Sequence, residues 1–280
     1  NKIGFDLTKD QLVAIDQINN DLKSNQKMFR LLQGDVGSGK TIVALIASMN
    51  VISSGFQVCL MAPTEILAKQ HYNLVKKLFD RNINIKILTS KTEYKERKEI
   101  IRNLDNNNIN IIIGTHSLFQ EKIKYHNLGL IVIDEQHKFG VKQRKKLSDK
   151  GGKNCDILVM SATPIPRTMI MTVFGDMDTS IIKNKPKVRK EIKTYSKLES
   201  KIDDVIRFIK KQINLQNQVF WVCPLIEDSK FLDFASAKKK FDIINKIFPG
   251  QVGLIHGGLD KDEKNIILKK FLNKEIFILV

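Results

Sequence analysis

The chain is predicted to be a doubly wound α/β protein on a parallel sheet, followed by the beginning of a second unit of the same kind. Three observations carry this. Apolar runs of strand length alternate with helical stretches almost throughout, the rhythm of βαβ units. A glycine-rich octet, Gly34-Asp35-Val36-Gly37-Ser38-Gly39-Lys40-Thr41, fits G-x-x-x-x-G-K-S/T and stands between one such run and a helical stretch. A further apolar run, Ile131-Val132-Ile133, leads straight into Asp134-Glu135.

The elements follow in order. Thr8 caps a first helix whose apolar positions Leu12, Ile15, Ile18 and Leu22 recur at helical spacing. Met28 to Gln33 is a strand, the octet turns the chain, and Lys40 to Ser54 is a helix. Further strands are expected at Gln57 to Met61, Ile83 to Leu88, Ile109 to Ile113, Leu130 to Ile133 and Ile157 to Met160, with helices between most of them. Ile182 to Lys193, polar, basic and proline-containing, reads as a linker. The rhythm then restarts: helix Leu198 to Gln212, strand Val219 to Cys223, a helix ending near Phe248, strand Val252 to His256, a helix to about Leu272, and strand Ile276 to Val280. The first residue is not Met and the last four are apolar, so a segment of a longer polypeptide is expected, with its second unit unfinished.

Composition narrows the classes. At 280 residues and 42% hydrophobic content, the chain is long and apolar enough for one large or two ordinary globular domains. Forty-seven basic against 30 acidic residues, net +17, point to a polyanionic partner such as nucleic acid. The excess is Lys amid abundant Ile and Asn, a bias AT-rich coding also produces, so charge alone does not establish that partner. Cys59, Cys155 and Cys223 sit in or beside apolar runs without C-x-x-C spacing, which predicts buried, reduced thiols and a reducing cytoplasm. The histidines show no metal-ligand spacing. The longest apolar run, Thr41 to Ser53, is too short to cross a bilayer, and no signal sequence opens the chain, so no membrane partner is expected.

The octet implies a nucleoside triphosphate. Backbone N–H groups of the glycine-rich turn curl around phosphate oxygens, Lys40 reaches the outer phosphates, and the Thr41 hydroxyl can hold Mg²⁺. Asp134 would hold the metal and Glu135 would orient or deprotonate the attacking water, the division of labour that ATP hydrolysis needs. Gln11, one helix upstream, can pair its amide with an adenine, and Phe5 can stack on it; a surface glutamine near an N-cap explains the same letters. Pro63-Thr64 and Gly114-Thr115 each follow a strand, where free N–H groups and a hydroxyl suit a phosphate of a nucleic-acid backbone, or a plain helix cap and turn. Ser161-Ala162-Thr163 follows another strand with hydroxyls able to sense a γ-phosphate, and Pro164 to Thr168 fixes a rigid turn bearing Arg167.

Taken in this order, Gln11, the octet, Ala62 to Glu65, Gly114 to His116, Asp134 to His137 and Ser161 to Thr163 resemble superfamily 2 helicases. The octet, Val132 to Val141, Ser161 to Thr168 and Trp221 to Glu227 resemble more narrowly the RecG family of bacterial branch-migration helicases, over nearly the whole chain. The transcription-repair coupling factor shares G-T-H and A-T-P-I-P-R-T but usually carries Phe where Ser38 stands and a second Glu where Gln136 stands. D-E-A-D-type RNA helicases lack Gln136-His137 and the P-I-P-R-T extension, and no L-S-G-G-Q signature of transport ATPases occurs.

The resemblance implies a P-loop NTPase of RecA-like fold, an ATP-binding domain over 1–184 and a second RecA-like domain over 185–280. It implies ATP and Mg²⁺ as cofactors, double-stranded and branched DNA as partners, a monomer, and a bacterial cytoplasm. By position, Gly34 to Thr41 and Gln11 would bind ATP; Lys40, Asp134 and Glu135 would catalyse; Gln136, His137, Ser161 and Thr163 would couple that site to DNA; Pro63, Thr64, Gly114 and Thr115 would line the DNA backbone. His256-Gly257 matches an H-G element of the family, with Gly258 where Arg is usual. The family also has a wedge domain before these elements and arginine fingers after them. Efficient hydrolysis is therefore expected of the longer polypeptide, and MgATP binding of this segment.

Overall fold

The buried apolar runs lie side by side as a sheet, and the helical stretches cover its two faces. A computed structural model describes residues 6–79, 82–120, 122–134, 155–163, 177–184, 192–223 and 230–280. They fall into two units, Asn1–Glu191 and Ile192–Val280.

In the first unit, α1 (Lys9–Lys23) starts at a capping box: the Gln11 N–H donates to Thr8 Oγ1 at 3.3 Å and the Thr8 N–H donates to Gln11 Oε1 at 2.8 Å. Its inward face is Gln11, Ala14 and Ile18, whereas Leu12, expected in the apolar stripe, is 53% exposed. There follow β1 (Phe29–Gly34), α2 (Lys40–Ser53), β2 (Gln57–Met61), α3 (Glu65–Leu78), β3 (Ile85–Leu88), α4 (Tyr94–Asp105), β4 (Ile111–Gly114), β5 (Leu128–Asp134), β6 (Asp156–Ser161) and β7 (Asp178–Ile182). The strands form one seven-stranded sheet in the order β3-β4-β2-β5-β6-β1-β7, and every pairing is parallel.

A parallel sheet needs apolar cover on both faces, and alternation along the strands provides it. Leu32, Val58, Leu60 and Val132 face one core with Ala14, Val43, Ala47, Ala68 and Val75 of α1, α2 and α3. Leu31, Cys59, Met61 and Ile131 face the other with Ile100 and Leu104 of α4 and with Leu118. Parallel strands put all their C-terminal ends on one edge, the edge at which α/β sheets bind ligands.

One boundary is corrected. The expected linker began at Ile182, but Asp178–Ile182 is β7, paired with β1 from Arg30 to Gly34. Its Asp178-Thr179-Ser180 segment is too polar to read as a strand. Ser180 is buried all the same, because its hydroxyl accepts from Arg30 Nη1 at 3.0 Å and donates to Gln17 Oε1 at 2.6 Å. Arg30 also donates through Nε to Asp21 Oδ2 at 2.6 Å. After β7, the N–H groups of Lys183 and Asn184 donate to Asp10 Oδ2 at 2.9 and 2.8 Å, which holds the Asp10 carboxyl below its usual range.

The second unit holds α5 (Ile202–Asn214), β8 (Val219–Phe220), α6 (Lys230–Ile247), β9 (Val252–Gly253), α7 (Lys261–Leu272) and β10 (Ile278–Leu279), with a parallel sheet in the order β8-β10-β9. Its strands are shorter than their apolar runs, and Leu198 precedes a 3₁₀ turn, Glu199–Lys201, rather than opening the helix. Ile209, Ile213, Ile244, Phe248, Val252 and Ile278 form its main core.

Candidate functional site

The octet closes β1 and opens α2. Its tight curl requires left-handed backbone at two places, φ +77° at Gly37 and +91° at Gly39, which only glycine adopts without strain. The curl leads into the N-terminus of α2 at Lys40, where backbone N–H groups point out of the helix end and the helix dipole adds positive potential. Lys40, the first residue of α2 and 9% exposed, donates through Nζ to the carbonyls of Gly34 at 2.5 Å and Asp35 at 3.1 Å. The buried Ser38 Oγ has no hydrogen-bond partner among the described residues. A cradle of N–H groups, an ammonium folded onto its own loop and an orphaned hydroxyl fit a phosphate chain.

Gln11 is not the surface glutamine that stood as the alternative to an adenine partner. It is fully buried; Oε1 serves the capping box and Nε2 donates to the Ser38 carbonyl at 2.7 Å. Both ends of the amide are thus engaged, and the residue braces the octet from behind. A Cβ on Gly39 would overlap Gln11 Nε2, a second reason for glycine there.

Asp134 ends β5, separated from β1 by β6 alone. At about 4.8 Å per strand it sits roughly 10 Å from the octet along the same edge. Its Oδ2 is bonded to His71 Nε2 of α3 at 2.8 Å, and the two side chains are 13% and 9% exposed. The lone pairs of Asp134 not used by His71 and the half-buried Thr41 are hard oxygen donors, the kind Mg²⁺ takes from a protein when phosphate and water supply the rest. Glu135, Gln136 and His137 lie outside the described residues, as do Phe5 and Arg167.

Between these groups, Ser161 ends β6 opposite Gln33 of β1. Its Oγ accepts from the Thr163 N–H at 3.2 Å and lies 3.0 Å from Thr163 Oγ1, and Gln33 Nε2 approaches the Thr163 carbonyl at 3.5 Å. The S-A-T turn therefore stands between the octet and Asp134.

Farther along the edge, Pro63 and Thr64 are half-buried and Thr64 caps α3, its Oγ1 accepting from the Leu67 N–H at 3.3 Å. Ser90 Oγ donates to Glu65 Oε1 at 2.6 Å in the same first turn. Gly114 allows a close approach, but to protein: a Cβ there would overlap the Leu88 carbonyl. Thr115 precedes the short 3₁₀ helix His116–Phe119. The edge thus brings together Pro63, Thr64, Gly114 and Thr115.

Sequence reading missed two contributions. Thr89 to Thr92 forms a hydroxyl-rich turn after β3, the Thr89 N–H bonding Thr92 Oγ1 at 3.0 Å; the same pattern of hydroxyls after a strand that marked Thr64 and Thr115 could have found it. His71 left no local signal, because its partner lies 63 residues away.

The chain is 44% identical over 279 residues to the ATP-dependent DNA helicase RecG of Bacillus subtilis (strain 168), covering 99% of this chain and 41% of that protein. A solved structure of RecG bound to a three-way DNA junction is 39% identical with a TM-score of 0.80, over 99% of this chain and 36% of that one. The DEAD-box helicase Mss116, solved bound to ssRNA, is 20% identical with a TM-score of 0.66 over 98% of this chain and 60% of that one, a likeness of fold alone. The fold is the RecA-like fold of helicases, and a helicase domain of this kind binds nucleotide. The chain spans about two fifths of the length of the curated relative it matches. The family model for DEAD/DEAH box helicases matches residues 8–172, and the chain belongs to that family.

Proposed function

We propose that this chain is the ATP-binding core of an ATP-dependent DNA translocase that remodels branched double-stranded DNA, such as stalled forks and Holliday junctions. The observation that carries the reading is the shared edge: the phosphate cradle of Gly34 to Thr41, the Asp134 carboxylate, the S-A-T turn and the capped start of α3 all stand at C-terminal strand ends of one sheet. Similarity to RecG over nearly the whole chain supports DNA, rather than RNA, as the track.

In this reading, MgATP lies against the octet. The α2 N–H groups and Lys40 hold its phosphates, while Thr41 and Asp134 hold the cation, which would neutralise charge developing on the transferred phosphoryl group. Glu135 orients the attacking water, and Gln136, His137, Ser161 and Thr163 relay the state of the nucleotide to the DNA. Pro63, Thr64, Gly114 and Thr115 track the DNA backbone, positioning it without reading sequence. The ATP-binding domain is proposed to run over 1–184 and the second over 185–280. No helix among the described residues is long and apolar enough to cross a membrane, and a monomer acting in the bacterial cytoplasm is proposed.

The test is binding of a fluorescent ATP analogue with and without Mg²⁺, and ATP turnover with and without a synthetic three-way junction, for the chain and for the longer protein of its reading frame. The expected result is tight Mg²⁺-dependent binding by the chain, abolished by Lys40→Ala, with junction-stimulated turnover largely confined to the longer protein. Turnover indifferent to DNA in the longer protein would sink the reading.

A further inference from the structure

Helix α3 touches both halves of this machinery. Its first turn is part of the rim, with Thr64 as cap and Glu65 held by Ser90. Seven residues beyond Thr64, about 10 Å along the axis at 1.5 Å per residue, His71 meets Asp134 Oδ2 at 2.8 Å. A carboxylate only accepts, so the shared proton sits on Nε2 and His71 is the donor. His71 occupies a core-facing position together with Ala68 and Val75. An aliphatic side chain would meet the packing need there, so the polar bond is an addition to what the fold requires. A packed helix moves as a rod, and sliding α3 by about 1 Å would carry His71 out of hydrogen-bond range.

We infer that His71 is a positioning residue that couples the α3 rim to the Asp134 carboxylate. Nucleic-acid phosphate held at the Thr64 end biases the position of α3, and His71 turns that bias into the aim of the carboxylate towards the nucleotide-bound cation. The inference rests on the proposed function, since it takes DNA at the rim and MgATP at the octet. Linkage makes the coupling reciprocal: DNA changes nucleotide affinity by the same factor as nucleotide changes DNA affinity.

The test uses the full chain. A fluorescent ATP analogue is titrated in Mg²⁺ with and without a three-way DNA junction, and the junction is titrated with and without Mg-nucleotide, for the parent, His71→Leu and His71→Gln. The Gln amide nitrogen reaches about as far as Nε2 and restores the donor. The parent is expected to show a coupling factor of about fivefold or more, the lower end for coupled sites. His71→Leu should bring it to within about twofold of unity, and His71→Gln should recover most of it. In EDTA all three should bind the analogue alike, because the bond acts on the carboxylate and not on the phosphate cradle. Thermal midpoints show whether each variant folds; should His71→Leu not fold, His71→Asn, whose amide stops short of Oδ2, takes its place. A folded Leu or Asn variant with the parental coupling factor overturns the inference and leaves the proposed function standing. A parent chain that binds neither ligand overturns both.

Discussion

Gln11→Glu separates a base-reading glutamine from one that braces the phosphate loop. The substitution is nearly isosteric, and Glu at this helix position keeps the acceptor of the capping box on the Thr8 N–H. It removes the donor to the Ser38 carbonyl, a buried bond of 2.7 Å, and turns a carboxylate towards that carbonyl. An unsatisfied buried acceptor costs about 1–3 kcal/mol. Negative charge in the first turn of a helix returns about 0.3–1 kcal/mol. The net expectation is a loss of about 1.4 kcal/mol from the first unit. With a urea slope near 3 kcal/mol/M, its midpoint falls by about 0.5 M. The chain contains an internal control, because its single tryptophan, Trp221, lies in the second unit. Tryptophan fluorescence follows that unit during the titration, while far-UV circular dichroism also records the seven-stranded sheet. The dichroism phase of the first unit should move and the fluorescence phase should not. A dichroism midpoint shifted by less than about 0.2 M, with nucleotide affinity nevertheless lost, would refute the bracing role and return Gln11 to base recognition.

Gly114→Ala drives a methyl group into the Leu88 carbonyl and within 3.0 Å of Leu118 Cγ, so thermal unfolding should report about 2–3 kcal/mol of destabilisation whether or not DNA is bound. Arg30→Met strips the partner from Asp21 Oδ2 and Ser180 Oγ; urea unfolding should show a loss of about 3 kcal/mol, at the low end for a broken buried pair because Asp21 keeps some water. Burial pushes the Cys155 thiol up to about 12 from 9.0. Below pH 9 the thiol is protonated in both states; between the two values only the unfolded chain ionises, so stability falls as pH rises, by about 2 kcal/mol at pH 10.5 at 1.36 kcal/mol per unit. Cys155→Ala should remove that part of the alkaline loss, read as the difference in urea midpoints between pH 8 and pH 10.5.

Much of the fold was legible because a parallel sheet covered on both faces writes its strands as unbroken apolar runs. Gln57–Met61 was bounded correctly for this reason, every one of its residues being buried. β7 was not, because at the sheet edge a strand can bury Ser180 through Arg30 and Gln17, and polar letters then hide the element. The octet was legible in its chemistry, since glycine at φ +91° and a lysine at the first turn of a helix leave few alternatives. What Gln11 touches was not, because its amide has donor and acceptor ends suited equally to an adenine and to a backbone. The Asp134 partner was beyond sequence pattern altogether: only the packing of α3 across the sheet, against β3 and β4, brings His71 to it.

The position of β1 in the sheet also sets when the phosphate loop can exist during synthesis. β1 lies between β6 and β7, and neither neighbour precedes it in the chain. The Met28 N–H finds Asp156 across 128 residues, and the Asp10 carboxylate finds Asn184 across 174. At about 5–20 residues per second, a ribosome needs roughly 6–26 s after making β1 to deliver even its first partner. Through that interval Leu31 and Leu32 lack their strand neighbours and the octet lacks the frame that curls it. Nucleotide can therefore meet a formed loop only after nearly the whole first unit has emerged, so the site reports completion of the domain rather than of its own motif.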